Sequence, residues 1–173
     1  MLCKGFPPIV AEKPIVLVLG SMPGVKSLVE QQYYANQQNA FWLIISEYFN
    51  FDINLGYSKK LQHLKNNRIA LWDVIEECER QGSLDSSINQ KSITANDFSK
   101  LLLNHASITS IIFNGVMAER MFNKYVIKSN LLQDDIVNRL SFYRLPSTSP
   151  ANASIKKTEK IKQWKNALDL CLN

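Results

Sequence analysis

Apolar residues along this chain follow two rhythms. Ile15 to Leu19, Arg68 to Trp72, Ile108 to Phe113 and Ser141 to Leu145 are short apolar-rich runs, most of them closed by turn-forming residues, and they read as strands buried in a sheet. Ala40 to Asn50 instead places apolar residues at 41, 44, 45, 48 and 49, which is a helical spacing. A short helix is expected through Leu61 and Leu64, and Asn96 is expected to cap one that carries Phe98, Leu101, Leu102 and Leu103. Val116 to Tyr125 reads as helical, and a final amphipathic helix carries Ile161, Trp164, Leu168 and Leu172. Gln81 to Thr94, rich in Gly, Ser, Asn and Gln, reads as a long surface loop.

Strands that alternate with helices predict an α/β fold with right-handed crossovers, a mostly parallel sheet and helices on both faces. No internal repeat or linker divides the chain, and 173 residues suit a single domain spanning 1–173. The loops at 20–39, 73–94, 114–115 and 146–154 all follow strands, so they should gather on one edge of the sheet.

Composition narrows the class. The longest apolar runs are far too short to span a bilayer, and no charged segment followed by an apolar one opens the chain, so a cytoplasmic location and no membrane partner are expected. Cys3, Cys78 and Cys171 are widely spaced, which suits reduced thiols rather than a disulfide framework or a bound cluster. With His63 and His105 the only histidines, no metal is expected. Charge is uneven: residues 1–86 carry a net of −1 and residues 87–173 a net of +6, giving +5 for the chain. The densest basic block, Lys156, Lys157, Lys160, Lys162 and Lys165, suits either a phosphate backbone or a solvated helix face.

The candidate chemistry lies after the first strand. Leu17-Val18-Leu19-Gly20-Ser21-Met22-Pro23-Gly24 ends an apolar run in a sharp turn, and Asn39-Ala40-Phe41-Trp42 opens the next helix. The loop between holds no His, Cys or Asp and no pair of carboxylates, so its chemistry must rest on an amide, the backbone and aromatic walls. Gly20, Lys26 and Ser27 have the spacing of a phosphate-binding loop. However, Val25 stands where its second Gly belongs, and Pro23 removes an N–H from the anion cradle.

Seven segments occur together and in order: Gly20 to Gly24, Tyr33-Tyr34-Ala35, Asn39 to Trp42, Leu71-Trp72-Asp73-Val74, Gly82-Ser83-Leu84-Asp85, Phe113-Asn114-Gly115 and Leu145 to Asn152. Together, over about residues 13–170, they resemble the uracil-DNA glycosylase superfamily, and within it the hypoxanthine-DNA (deoxyinosine) glycosylase branch. The resemblance implies a three-layer α/β/α sandwich around a four-stranded parallel sheet, which agrees with the strand count. It also implies a glycosylase acting on DNA that contains a deaminated base, hypoxanthine ahead of uracil, with a catalytically silent nucleic-acid-binding module as the rival reading. No Lys stands in the matched pocket segments to form a Schiff base, so a monofunctional enzyme is expected, without a cofactor and as a monomer.

Roles follow residue by residue. Many relatives hold the attacking water with an Asp or Asn at the position of Met22, which cannot do so, and the resemblance gives that task to Asn39. From the residues alone, Asn39 equally suits a cap for the helix that follows. Phe41 resembles the platform on which the flipped base stacks, and otherwise reads as a core residue. Backbone N–H groups at Ser21 and Met22 are placed to contact a base carbonyl. Asp73 suits either reading the base's N–H or capping a helix over Val74–Arg80, and Asn114 suits lining the crevice or shaping a turn with Gly115. The segment from Ser147 to Asn152 lacks the histidine common in relatives. Ser147, Thr148, Ser149, Asn152 and Lys156 are expected to meet DNA phosphate, or the segment is only a turn. Asn36, Gln37 and Gln38 depart from the branch's pattern and leave base preference open.

Overall fold

In the computed structural model, which describes residues 1–172, a four-stranded parallel sheet forms the centre of the molecule. In chain order the elements are β1 (Leu2–Lys4), β2 (Val16–Gly20), α1 (Val25–Glu30), α2 (Phe41–Phe49), α3 (Tyr57–Asn66), β3 (Ile69–Asp73) and β4 (Ile75–Glu79). There follow β5 (Thr94–Ala95), α4 (Phe98–Asn104), β6 (Ser110–Asn114), α5 (Val116–Phe122), α6 (Asp134–Asn138), β7 (Ser141–Leu145) and α7 (Lys157–Leu172). The central order is β3-β2-β6-β7.

Alternation along β2 explains the layers. Val16 and Val18 turn to one face, where Phe41, Ile44 and Ile45 of α2, Leu64 of α3 and Trp164 and Leu168 of α7 cover them. Leu17 and Leu19 turn to the other, against Phe98 and Leu102 of α4, Met121 and Phe122 of α5 and Ile136 of α6. All five residues of β2, β3 and β6 are buried, so these strands are apolar almost throughout rather than alternating with polar residues. The sandwich expected from the sequence is the one observed.

Three elements, β4, α4 and α5, depart from the sequence expectation. β4 follows Asp73 where a helix over Val74–Arg80 had been one alternative, so Asp73 caps nothing. β4 pairs antiparallel with β1 and β5 in a small second sheet. Asp97, not Asn96, caps α4 by accepting the N–H of Lys100, while buried Asn96 donates to the Asp73 carbonyl at 2.9 Å. A π-helical turn over Asn123–Ile127 prolongs α5.

The register sets the position of the site. Gly20 stands opposite Asp73, and Asn114 opposite Leu145, so the carboxyl ends of the four strands form one edge. The connection after β2 runs to β3 on one side and the connection after β6 runs to β7 on the other, so the neighbouring strands β2 and β6 send their chains in opposite directions. The crevice opens there. No helix among the described residues is long and apolar enough to cross a membrane.

Gly115 lets the chain turn at this edge. Its φ is +103°, and a Cβ there would lie 2.8 Å from the Ser147 Cβ. Gly115→Ala should therefore lower stability by at least ~1 kcal/mol, seen as an earlier urea unfolding midpoint. An unchanged midpoint would mean that the turn relaxes freely.

Candidate active site

A cavity of about 230 Å³ occupies the crevice. Its walls come from the segment after β2, from the loop after β4 and from the ends of β3 and β6, with Ser147 to Ala151 completing the rim. At that size it suits a single nucleobase rather than an extended ligand.

Asn39 faces the cavity, and its Oδ1 accepts the N–H of Phe41 at 3.0 Å, two residues on. This local turn is characteristic of Asn. Ala40 takes the N-cap position of α2, so Asn39 closes this turn one residue before the cap while lining the cavity. With Oδ1 anchored, the Nδ2 group and a second Oδ1 lone pair are left for a ligand.

The aromatic wall differs from the expectation. Phe41 is fully buried and does not line the cavity; Trp42 and Trp164 pack edge-on against it. Tyr34, a cavity-lining residue, stacks on its ring with centroids 4.1 Å apart and 29° between planes. The aromatic side chains that line the cavity are Tyr33 and Tyr34, with Phe41 behind Tyr34. Tyr34 adopts φ +55°, an uncommon conformation for a bulky residue. Its hydroxyl accepts from the Asn114 Nδ2 at 2.9 Å.

Asn114 also donates from Nδ2 to the Thr148 Oγ1 at 2.9 Å, and its Oδ1 accepts the Thr148 N–H at 2.8 Å. Both amide N–H groups are thus taken by protein partners, which leaves one Oδ1 lone pair for any ligand. Thr148 is buried in the same clamp and borders the cavity. Its carbonyl accepts from the Ala40 N–H at 3.0 Å, which ties this loop to the start of α2. Ser147 and Ser149 do line the cavity, Asn152 lies outside it and donates to the Ser147 carbonyl, and Lys156 is exposed just before α7. Lys160 turns inward and donates to the carbonyls of Ser149 and Asn152, so one member of the basic block holds the loop instead of facing solvent.

Met22 is buried in the wall beside Ser21. The Ser21 hydroxyl donates to the Asp85 Oδ1 at 2.7 Å. Sequence reasoning gave no role to Asp85 or to the buried Arg80, whose Nη2 donates to the Pro23 carbonyl. Their only local signal was the Gly82-Ser83-Leu84-Asp85 turn.

Asp73 is buried with its Oδ1 against Gly20, where a Cβ would collide with it. Its Oδ2 is sealed from solvent and has no hydrogen-bond partner. Burial, reinforced by the charge of Asp85 and opposed by Arg80, pushes its carboxyl up from 3.8 to about 7. Burial likewise raises Asp85, against the Ser21 hydrogen bond and Arg80. Folding therefore favours protonated Asp73. The stability from this group is full below about pH 4 and is lost as pH rises through about 7, a span worth at most roughly 4 kcal/mol. Asp73→Asn removes the charged form, so its melting temperature should gain on the parent between about pH 5 and pH 8. A difference that stays constant across that range would place an ionised Asp73 in the folded protein at all these pH values.

Comparison with known proteins accords with this architecture. The family profile of the uracil DNA glycosylase superfamily matches residues 7–169. The chain is 41% identical over 116 residues to a hypoxanthine DNA glycosylase of Methanosarcina acetivorans, a match covering 66% of this chain and 72% of that one. To a protein of the same description from Methanosarcina barkeri it is 36% identical over 113 residues, covering 65% and 70%. A solution NMR structure from Methanosarcina acetivorans, described as a candidate uracil DNA glycosylase, matches with a TM-score of 0.79 at 33% identity over 100% of both chains. The chain belongs to the uracil DNA glycosylase superfamily and is a DNA glycosylase.

Proposed function

We propose that this protein hydrolyses the N-glycosidic bond of deoxyinosine in DNA, releasing hypoxanthine and leaving an abasic site for base excision repair. The observation that carries the reading is Asn39, an amide anchored by the Phe41 N–H and turned to a cavity of nucleobase size. The names of the two Methanosarcina relatives support hypoxanthine as the base.

A base inside a duplex is out of reach, so the nucleotide is flipped at a cost of a few kcal/mol. Stacking on Tyr34, typically ~1–3 kcal/mol per base, offsets part of that cost. Ser21 and Met22 border the base from the strand end, while Asp73 and the remaining Asn114 lone pair meet its polar edge. Ser147 and Ser149 at the rim, with Lys156 beyond them, take the phosphates. Asn39 orients the water. An amide is a poor base, but orientation suffices when bond breaking runs ahead of attack and the sugar carries oxocarbenium character. The reaction is monofunctional: the one lysine at the cavity, Lys26, lies at its rim near Glu30 at 3.7 Å, and no Schiff-base lysine stands inside.

Asn39→Ala should keep DNA affinity and cut single-turnover release of hypoxanthine by roughly a hundredfold or more, with up to ~1 kcal/mol of stability lost with the turn. Asn39→Ser retains an oxygen for the turn and should be as inactive. Full activity in the Ser variant would leave Asn39 only a turn former. Parallel uracil-containing duplexes test the rival base suggested by the description of the NMR structure, and faster uracil release would replace hypoxanthine in this reading.

A further inference from the structure

Resting on the glycosylase reading above, a second chemical role follows from the two carboxyls of the cavity. Asp73 closes the end of β3 over Gly20, with an Oδ2 that no protein donor reaches. A carboxylate so placed lacks the hydrogen bonds that make a buried charge tolerable. Arg80, the nearest cation, donates to the Pro23 carbonyl, while its Nε and Nη1 are buried without partners. Among the described residues it forms no ion pair with Asp73 or Asp85. Asp85, in the loop after β4, lines the same cavity and is held there by the Ser21 hydroxyl.

The other titratable groups around Asp73 are phenols. Tyr33 and Tyr34 come from the segment after α1 and Tyr57 from the start of α3. All three are raised above the ordinary phenol range, first by burial, so they stay neutral. Lys26 is at the rim, near Glu30. The charges that act on Asp73 are thus Asp85, which keeps its proton on, and Arg80, which works against that.

We propose that Asp73 serves as a neutral carboxylic acid that donates a hydrogen bond to the departing base, and that Asp85 is the positioning residue whose charge keeps that proton in place. When the C1′–N9 bond breaks, its electron pair goes to the base. The water oxygen bonds to C1′, and the proton that water loses balances the one the base gains. A carboxylate beside that developing charge would oppose the reaction, whereas an acid stabilises it. No histidine or lysine stands inside the cavity to do this instead. Burial, with Asp85 assisting, places the carboxyl at about 7, so it is largely protonated on the acid side of neutrality.

The sign of the pH dependence is the test. A carboxylate that accepts the N1–H of hypoxanthine gives a rate that rises as Asp73 ionises, whereas an acid that donates gives a rate that falls. Single-turnover release from an inosine-containing duplex is measured from about pH 5 to pH 8.5, alongside a ¹³C NMR titration of the aspartate carboxyls in the free protein. Both are repeated in Asp85→Asn, which keeps an acceptor for the Ser21 hydroxyl. The expected result is an alkaline fall in rate that tracks the Asp73 carboxyl, with both midpoints moving down by about one pH unit in Asp85→Asn. A rate that rises with ionisation of Asp73, midpoints that Asp85→Asn leaves in place, or an equal loss of rate at every pH would overturn the proposal. A parent protein that releases no hypoxanthine would instead overturn the substrate reading, and the NMR titration tells the two failures apart because it needs no catalysis.

Discussion

Asn114 uses both of its amide N–H groups and one Oδ1 lone pair to bind Tyr34 and Thr148, segments distant in sequence that meet at the end of β6. Each bond between neutral groups contributes only about 1 kcal/mol net, but leaving any of these buried groups unpaired costs more. The geometry of the cavity follows from this clamp. Thr148 passes the constraint to the start of α2 through the Ala40 N–H, one residue from Asn39. Tyr34 receives it directly and is pressed against Phe41. Lys160 of α7 pins the other end of the same loop.

This arrangement explains how a site with little conventional acid–base equipment can work. Its polar groups are an amide held in a local turn, a buried carboxyl without a partner and backbone at a strand end. The amide and the backbone are fixed by bonds made before any ligand arrives. Preorganised dipoles in a small cavity act more strongly than they would in solvent. The cost falls on stability: buried Asp73 lacks a partner, and Arg80 keeps two N–H positions unpaired. Such polar debts gather where a ligand is meant to complete the hydrogen bonding.

Much of the central sheet was legible because its strands are buried on both faces and read as apolar runs. Ser141–Leu145 was found to the residue, and the other three to within two at either end. β4 was not legible: Ile75-Glu76-Glu77-Cys78-Glu79 is short and charged, and its pairing with β1 is set by residues more than seventy positions away. Asn39 was visible through the family resemblance, because an amide before an apolar helix reads by itself as a cap. The burial of Phe41 under Tyr34 was not legible because stacking is a tertiary fact: its sequence neighbourhood gives no sign that Tyr34 covers its face. Asp85 and Arg80 were silent for a similar reason, since their effect on Asp73 exists only once the loop after β4 folds over the end of β3. The place of Thr148 in the clamp was not legible either, because its partner Asn114 lies 34 positions away.

A crystal structure of the Asn39→Ala variant bound to an inosine-containing duplex would test the account most directly. It should show hypoxanthine flipped into the cavity against Tyr34, with its carbonyl edge toward Asp73, its C1′ facing the vacated Asn39 position, and the Asn114 clamp unbroken. A base left stacked in the duplex, or one seated on Phe41 with Tyr34 swung away and the clamp opened, would contradict it.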